Sequence, residues 1–312
     1  MRVSLSPIRI ASRDAPQADC PQCRSTSPLL FSVGDLNQKV QAQEFDYYQC
    51  RDCGLIFLSP IPGDLGVFYQ PSYYAIPGSV EDLKSGTEPE FYKLEAIKSF
   101  ASGRRLLEIG PSYGRFALLA KSAGFEVHAF EMDRACCAFL NDVVGISALH
   151  TTDVIESMRK SGPHEVIAMW HSLEHLPDPW TLLDLVHDRL SPGGILAIAT
   201  PNPGSFQFRI FKQSWVHVDA PRHVELIPPE VLTRRLSSRG LKRVHFTTSD
   251  RGARDCDALG WQVWLQSLSH RYPESSFGKY VEFVGLQLTR IARCVEMLPG
   301  LGSAYTAVFR KT

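Results

Sequence analysis

Three groups of residues in this chain have the types and spacing for chemistry. Four cysteines form two Cys-x-x-Cys pairs, Cys20 with Cys23 and Cys50 with Cys53, separated by 26 residues. Thiolates on two such knuckles can close a tetrahedral zinc site, with Gly54 relieving the second turn. Four protein ligands leave no open coordination position, so one structural zinc per chain is expected. The second group is Glu108, Gly110, Pro111, Ser112, Tyr113 and Gly114, in the run RRLLEIGPSYGRF. The third is His171, His175, His217 and His223, all in loop-like segments; neutral imidazole is the side chain suited to accept a proton near pH 7. Cys136, Cys137, Cys256 and Cys294 lack ligand-like spacing and read as small buried apolar residues.

These groups need elements to hold them. The apolar run ending at Ile109 reads as a buried strand, residues 110–114 as a tight loop and 115–123 as a helix starting directly after it. Gly110 and Gly114 permit a close backbone approach, and the helix N-terminus supplies free amide donors. A dinucleotide would require glycine at positions 112 and 115, where this chain has Ser112 and Arg115. S-adenosylmethionine, with no pyrophosphate, suits the loop better. FEVHAFEMD reads as a second strand whose terminal Glu131, followed by Met132, is placed to accept both ribose hydroxyls. ALHTTDV puts Asp153 and Val154 at the end of a third strand, near an adenine amino group. EVIAMW and ILAIAT read as two more buried strands, and His171, directly after the first of them, should line the cofactor pocket. The alternation demands a mostly parallel sheet with helices on both faces.

On the acceptor side, His223 in WVHVDAPRHVE is the leading candidate general base, with Asp219 orienting its ring and His217 and His175 as the other candidates. A loop-fixing role fits His175 and a backbone-bonding role fits His223 equally well. Arg222 fits either an anionic acceptor or a surface ion pair.

Charge and composition narrow the function classes. The 33 Lys and Arg balance 33 Asp and Glu, so no global field recruits nucleic acid or an anionic membrane. No apolar run reaches the ~20 residues of a membrane span, and the N-terminus has no apolar signal core, which gives the expectation of a cytoplasmic protein. The 312 residues divide into a tail at 1–15, a ribbon at 16–62, a connector and cofactor-covering helix at 63–102, a core at 103–250, a helical insert at 251–301 and a last strand at 302–312.

The Glu-x-Gly-x-x-x-Gly spacing of Glu108, Gly110 and Gly114 resembles the first motif of class I S-adenosylmethionine-dependent methyltransferases. SLEHLPDPW and SPGGILAIATPNP resemble the fourth and fifth strand regions of that family. WVHVDAPRHVELIPPEVLTRRLSSRGLKRV resembles the segment before the sixth strand in a branch bearing an N-terminal four-cysteine zinc ribbon, and SAYTAVFRKT the closing antiparallel strand. The similarity covers about residues 19–250. It implies a Rossmann-like α/β sheet, S-adenosylmethionine as cofactor, and a connector that closes over it through Tyr73 and Tyr74. It also implies a small acceptor such as a sugar nucleotide, a natural-product intermediate or a cell-surface precursor, methylated at carbon or oxygen. A zinc-ribbon module binding RNA or protein on a methyltransferase-like fold is the alternative. One departure is the insert, where Phe277, Val281, Val284, Leu288, Ile291, Val295 and Leu298 form a helical stripe. With the apolar helix ALGWQVWLQSL before it, that stripe is expected to pack on the sheet or on its neighbouring helix, to cover the acceptor side of the cleft, or to form a homodimer face or a lipid-facing surface.

Overall fold

The computed structural model describes residues 16–70, 73–271 and 276–312, with side chains at 16–70, 73–266 and 284–312. The expected tail at 1–15 lies outside the described residues. Short aromatic and β-branched runs between the cysteine knuckles fold as an antiparallel ribbon of β1 (Gln17–Asp19), β2 (Thr26–Gly34), β3 (Glu44–Gln49) and β4 (Ile56–Leu58). The knuckles occupy the β1–β2 and β3–β4 turns, where Arg24 N donates to Cys20 O and Gly54 N to Cys50 O. Gly54 takes φ +86°, the left-handed angle that the second turn requires. Cys20 Sγ lies 3.6 Å from Cys53 Sγ and Cys23 Sγ 3.4 Å from Cys50 Sγ, with all four sulfurs within 4.8 Å of one another.

The larger sheet contains β5 (Arg105–Ile109), β6 (Glu126–Glu131), β7 (Ser147–His150), β8 (His164–Trp170) and β9 (Leu190–Pro201), all parallel. The two-residue strand β10 (Glu225–Leu226) leaves this domain and pairs with β4, so the ribbon sheet acquires a fifth strand and the sequence boundary at residue 62 is bridged. β11 (Leu241–Thr247) and β12 (Ala304–Lys311) complete the seven-stranded order β11-β12-β9-β8-β5-β6-β7, with β12 antiparallel to both neighbours. The mostly parallel α/β sheet with an antiparallel last strand is the expected fold class.

Helices α1 (Val80–Ser85), α2 (Phe91–Lys98), α3 (Arg115–Ser122) and α4 (Arg134–Phe139) cover one face together with Leu106, Val166 and Ala168. On the other face, α5 (Val154–Lys160), α6 (Pro179–Arg189) and α8 (Pro229–Ser237) pack on Leu107, Ile109, Ile167 and Met169. Alternate residues of one strand serve opposite cores, as the pleat dictates, and strands buried on both faces carry the near-continuous apolar runs seen in the sequence. Because β6 and β8 flank β5 on opposite sides, the loops after β5 and β8 diverge and open a crevice at the carboxyl edge.

After β9 comes α7 (Phe206–Phe211), and the insert forms α9 (Arg251–Arg271) and α10 (Ser276–Glu296). The two insert helices pack on each other and α9 on β12, as one expectation had it, but the apolar stripe of α10 does not turn wholly inward. Leu288, Ile291 and Leu298 of the apolar stripe are exposed, whereas Thr289, Ala292 and Glu296 face inward. Phe277 and Val281 lie outside the residues whose side chains are described. The reason is polar and local: Glu296 Oε1 accepts from Trp261 Nε1 at 2.7 Å and Gln207 Nε2 at 2.9 Å, and these buried bonds fix which side of α10 turns in. Among the described residues no helix is long and apolar enough to cross a membrane.

Arg222 is neither an exposed ion-pair member nor a cavity residue but is fully buried between ribbon and core. Its guanidinium donates to Asp35 Oδ1 at 2.7 Å, Asp219 Oδ1 at 2.7 Å and Asp219 Oδ2 at 3.0 Å. Burial works against the Asp35 carboxylate, but Arg222 and the Val40 and Gln38 amides hold its pKa down at about 2. Removing one member of such a cluster strands a buried charge. Asp35→Ala should therefore destabilise the folded protein by about 3 to 5 kcal/mol in urea unfolding; a loss below ~1 kcal/mol would show that the ribbon and core are not joined through Arg222.

Candidate active site

The loop after β5 is built by steric demand. Gly110 (φ +73°) and Gly114 (φ +90°) both use left-handed angles. A Cβ at Gly110 would lie 2.8 Å from Ser172 Cβ, and one at Gly114 would lie 2.3 Å from Leu140 Cδ2. Glu131, at the tip of β6, holds this loop in shape: Oε2 accepts from Ser112 N at 2.9 Å and Oε1 from Asp133 N at 2.7 Å. Each carboxylate oxygen keeps acceptor capacity toward a diol. Together the strand ends border a cavity of about 650 Å³.

Of the residues expected to bind a cofactor, Glu108, Gly110, Pro111, Ser112, Tyr113, Glu131, Met132, Val154 and His171 line this cavity. Gly114 stands behind the lining as the residue preceding α3. Asp153 does not line it: its Oδ1 accepts from Glu156 N at 2.9 Å and caps α5, so Thr151 and Thr152 occupy that part of the wall. Tyr73 and Tyr74 close the cavity from the connector, joined by Tyr69, Glu90 and Lys93.

Burial raises the pKa of both strand-end acids. Glu108 is pushed up to about 8 despite Lys93 nearby, and its Oε2 has no hydrogen-bond partner. Glu131 is pushed up to about 7 against the pull of the Asp133 and Ser112 amides. A buried carboxyl with a bare oxygen in a roomy cavity fits a ligand that brings hydrogen-bond donors or positive charge.

The opposite end of the cavity is built by the turn after β8. Ser172 Oγ donates to Ile109 O at 2.7 Å, tying this turn to β5, and His171 adopts φ +53°. Two residues further on, Glu174 is wholly buried, and the sequence reading did not single it out. Its Oε2 accepts from Thr200 Oγ1 at 2.9 Å, while Oε1 lies 3.5 Å from His171 Nδ1 without forming a hydrogen bond. Burial opposes its ionisation, but His171, His223 and His175 outweigh that and hold its pKa at about 2. The available signal was a glutamate three residues after one histidine and directly before another.

The candidate bases separate in space. His175 lines the cavity and packs edge to face on His223 at 4.5 Å between centroids. His223 lies behind it and directs Nδ1 to His217 O at 2.8 Å. His217 turns away, with Nε2 donating to Cys256 O at 3.1 Å. Asp219 is engaged by Arg222 and by Asn37 Nδ2 at 2.6 Å, and its Oδ2 remains 4.0 Å from His223 Nε2. Burial, reinforced by His223, lowers the His175 pKa to about 4, so its imidazole is neutral at physiological pH.

A sheet of this order, with acids ending β5 and β6 and a glycine loop between them, defines the class I methyltransferase type of α/β protein. The methyltransferase domain family matches residues 89–246, half of the chain, and the chain belongs to that family of S-adenosylmethionine-dependent enzymes. Among solved structures, a protein from Galdieria sulphuraria provisionally assigned as a sarcosine dimethylglycine methyltransferase is 16% identical, covers 72% of this chain and 85% of its own, and superposes with a TM-score of 0.50, a likeness of fold. A SAM-dependent methyltransferase from Archaeoglobus fulgidus is 21% identical over 74% of this chain and 98% of its own, with a TM-score of 0.47. No curated protein matches the sequence.

The raised pKa of Glu108 predicts a pH dependence in the ligand-free protein. A carboxyl whose folded pKa exceeds its unfolded value contributes stability below the unfolded pKa, near 4.5, which is lost as pH rises through about 8. Glu108→Gln removes that titration. Its melting temperature relative to wild type should rise between pH 6 and pH 9, by roughly 2 to 4 °C. A constant difference across that range would mean that Glu108 is ionised in the fold throughout.

Proposed function

We propose that the cavity binds S-adenosylmethionine with its ribose diol on Glu131, its adenine between Met132 and the Thr151–Thr152 wall, and its amino acid head by Glu108 and Gly110. The observation that carries this reading is the polarity of one cavity: nucleoside-type acceptors at the β5 and β6 tips, and an imidazole-lined end at the β8 turn. The methyl acceptor then sits against His171, His175 and Tyr73, a small metabolite such as a sugar nucleotide or natural-product intermediate. In the reaction the acceptor atom attacks the methyl carbon in line, the carbon–sulfur bond breaks with its electrons passing to sulfur, and an acceptor hydroxyl or activated C–H gives its proton to a cavity-lining imidazole, His171 or His175. The chain's part is to align the two partners, exclude water with Tyr69, Tyr73 and Tyr74, and keep a neutral imidazole at His175 beside the acceptor.

The ribbon is proposed to hold one structural zinc through Cys20, Cys23, Cys50 and Cys53. Four sulfurs around a zinc ion lie about 3.8 Å apart, and the two close pairs at 3.6 and 3.4 Å approach that spacing. Cytoplasmic residence suits a chain whose eight cysteines are joined in no disulfide.

Calorimetry tests the cofactor assignment. S-adenosylhomocysteine should bind the zinc-loaded protein, and Glu131→Ala should weaken it by about 1.5 to 3 kcal/mol, the worth of a charge-assisted bond to the diol. Equal affinity in the variant, or preferential binding of NADH, would contradict the assignment.

A further inference from the structure

We propose that Glu174, His175 and His223 bind a divalent first-row metal ion at the acceptor end of the cavity, a site separate from the cysteine ribbon. The proposal rests on the reading above, because the ion would hold an acceptor oxygen beside the methyl donor.

The geometry supplies three arguments. One side-chain donor atom from each residue falls within 4.8 Å of the other two. Ligands sharing an ion at about 2.0 to 2.2 Å stand roughly 3 to 4.4 Å apart, so side-chain adjustment alone closes the site. The second argument is the orientation of the rings. His223 Nδ1 is 2.8 Å from His217 O, and His175 Nδ1 is 3.1 Å from Arg222 O. A carbonyl only accepts, so each Nδ1 carries the proton and each Nε2 keeps its lone pair. This is how a backbone carbonyl prepares a metal-binding histidine. Tyr69 Oη, 2.9 Å from His175 Nδ1, shares the same N–H.

The third argument is charge. Glu174 is fully buried, with Oε2 bonded to Thr200 and Oε1 left without a hydrogen bond. Such a group is costly unless a cation faces it. Arg222, next to His223 in the chain, is taken up by Asp35 and Asp219, and among the described residues the ion-pair partner of Glu174 is His171. Two imidazoles and one carboxylate suit zinc, iron, cobalt or manganese and leave coordination positions open. His175 lies on the cavity wall, so those positions are within reach of a hydroxyl or carbonyl oxygen of the acceptor, which the ion would polarise as a Lewis acid.

Cobalt(II) titration of the full chain, carrying its ribbon zinc and saturated with S-adenosylhomocysteine, tests this. The wild type should take up one equivalent with ligand-field bands and no thiolate-to-metal charge transfer, the latter being the mark of exchange into the cysteines. His223→Asn and Glu174→Gln should each weaken that uptake by roughly 10- to 100-fold while S-adenosylhomocysteine affinity stays within about twofold. If Glu174→Gln does not fold, His223→Asn decides alone. Wild-type protein that binds cobalt only at the cysteines, or His223→Asn protein that binds it like wild type, overturns the proposal. Failure to bind S-adenosylhomocysteine would instead overturn the cofactor reading, since the two ligands are read separately.

Discussion

The histidine-lined end of the cavity depends on burying one carboxylate. Glu174 joins three separate parts of the chain: its backbone oxygen accepts from Val224 N at 2.7 Å, its Oε2 from Thr200 on β9, and its Oε1 faces the imidazole of His171. The backbone bond holds the turn after β8 against the loop carrying His223, while the buried carboxylate ties the same turn to β9. His175 and His223 stand beside that carboxylate as neutral rings in contact with each other, so they leave its charge without a cationic partner.

A second buried ion cluster extends the same loop to the ribbon. Arg222 lies between Asp219 on its own loop and Asp35 on the ribbon, and Tyr47 Oη donates to His223 O at 2.7 Å. With β10 paired to β4, the cysteine module becomes a wall against the loop carrying His223. A closed site of four thiolates has no open coordination position for chemistry, but its folding would set the place of His223.

Much of this was legible in the sequence because the signals are local. Buried runs ending in Glu108 and Glu131, with glycines where a side chain would collide, specify a strand, a loop and a helix without reference to distant residues. Asp153 misled because a short acid before a helix satisfies the nearest free amides first. The α10 stripe left its partner open because periodicity identifies a helix and an apolar side but not what lies opposite; the buried bonds of Glu296 to Trp261 and Gln207 decide that. Glu174, Arg222 and the β4–β10 pairing were hidden for one reason: each is defined by partners far away in the chain, and charge burial has no sequence period.

If methyl donor and histidines share one cavity, the donor sulfur must face the histidine-lined end while the ribose lies at the β6 tip. A crystal structure of the S-adenosylhomocysteine complex measures this directly. The expected result is ribose hydroxyls on Glu131 and the sulfur directed toward His171 and His175. A ligand whose sulfur opens instead toward the β7 edge, with Glu174 and its histidines walled off from it, would contradict this arrangement.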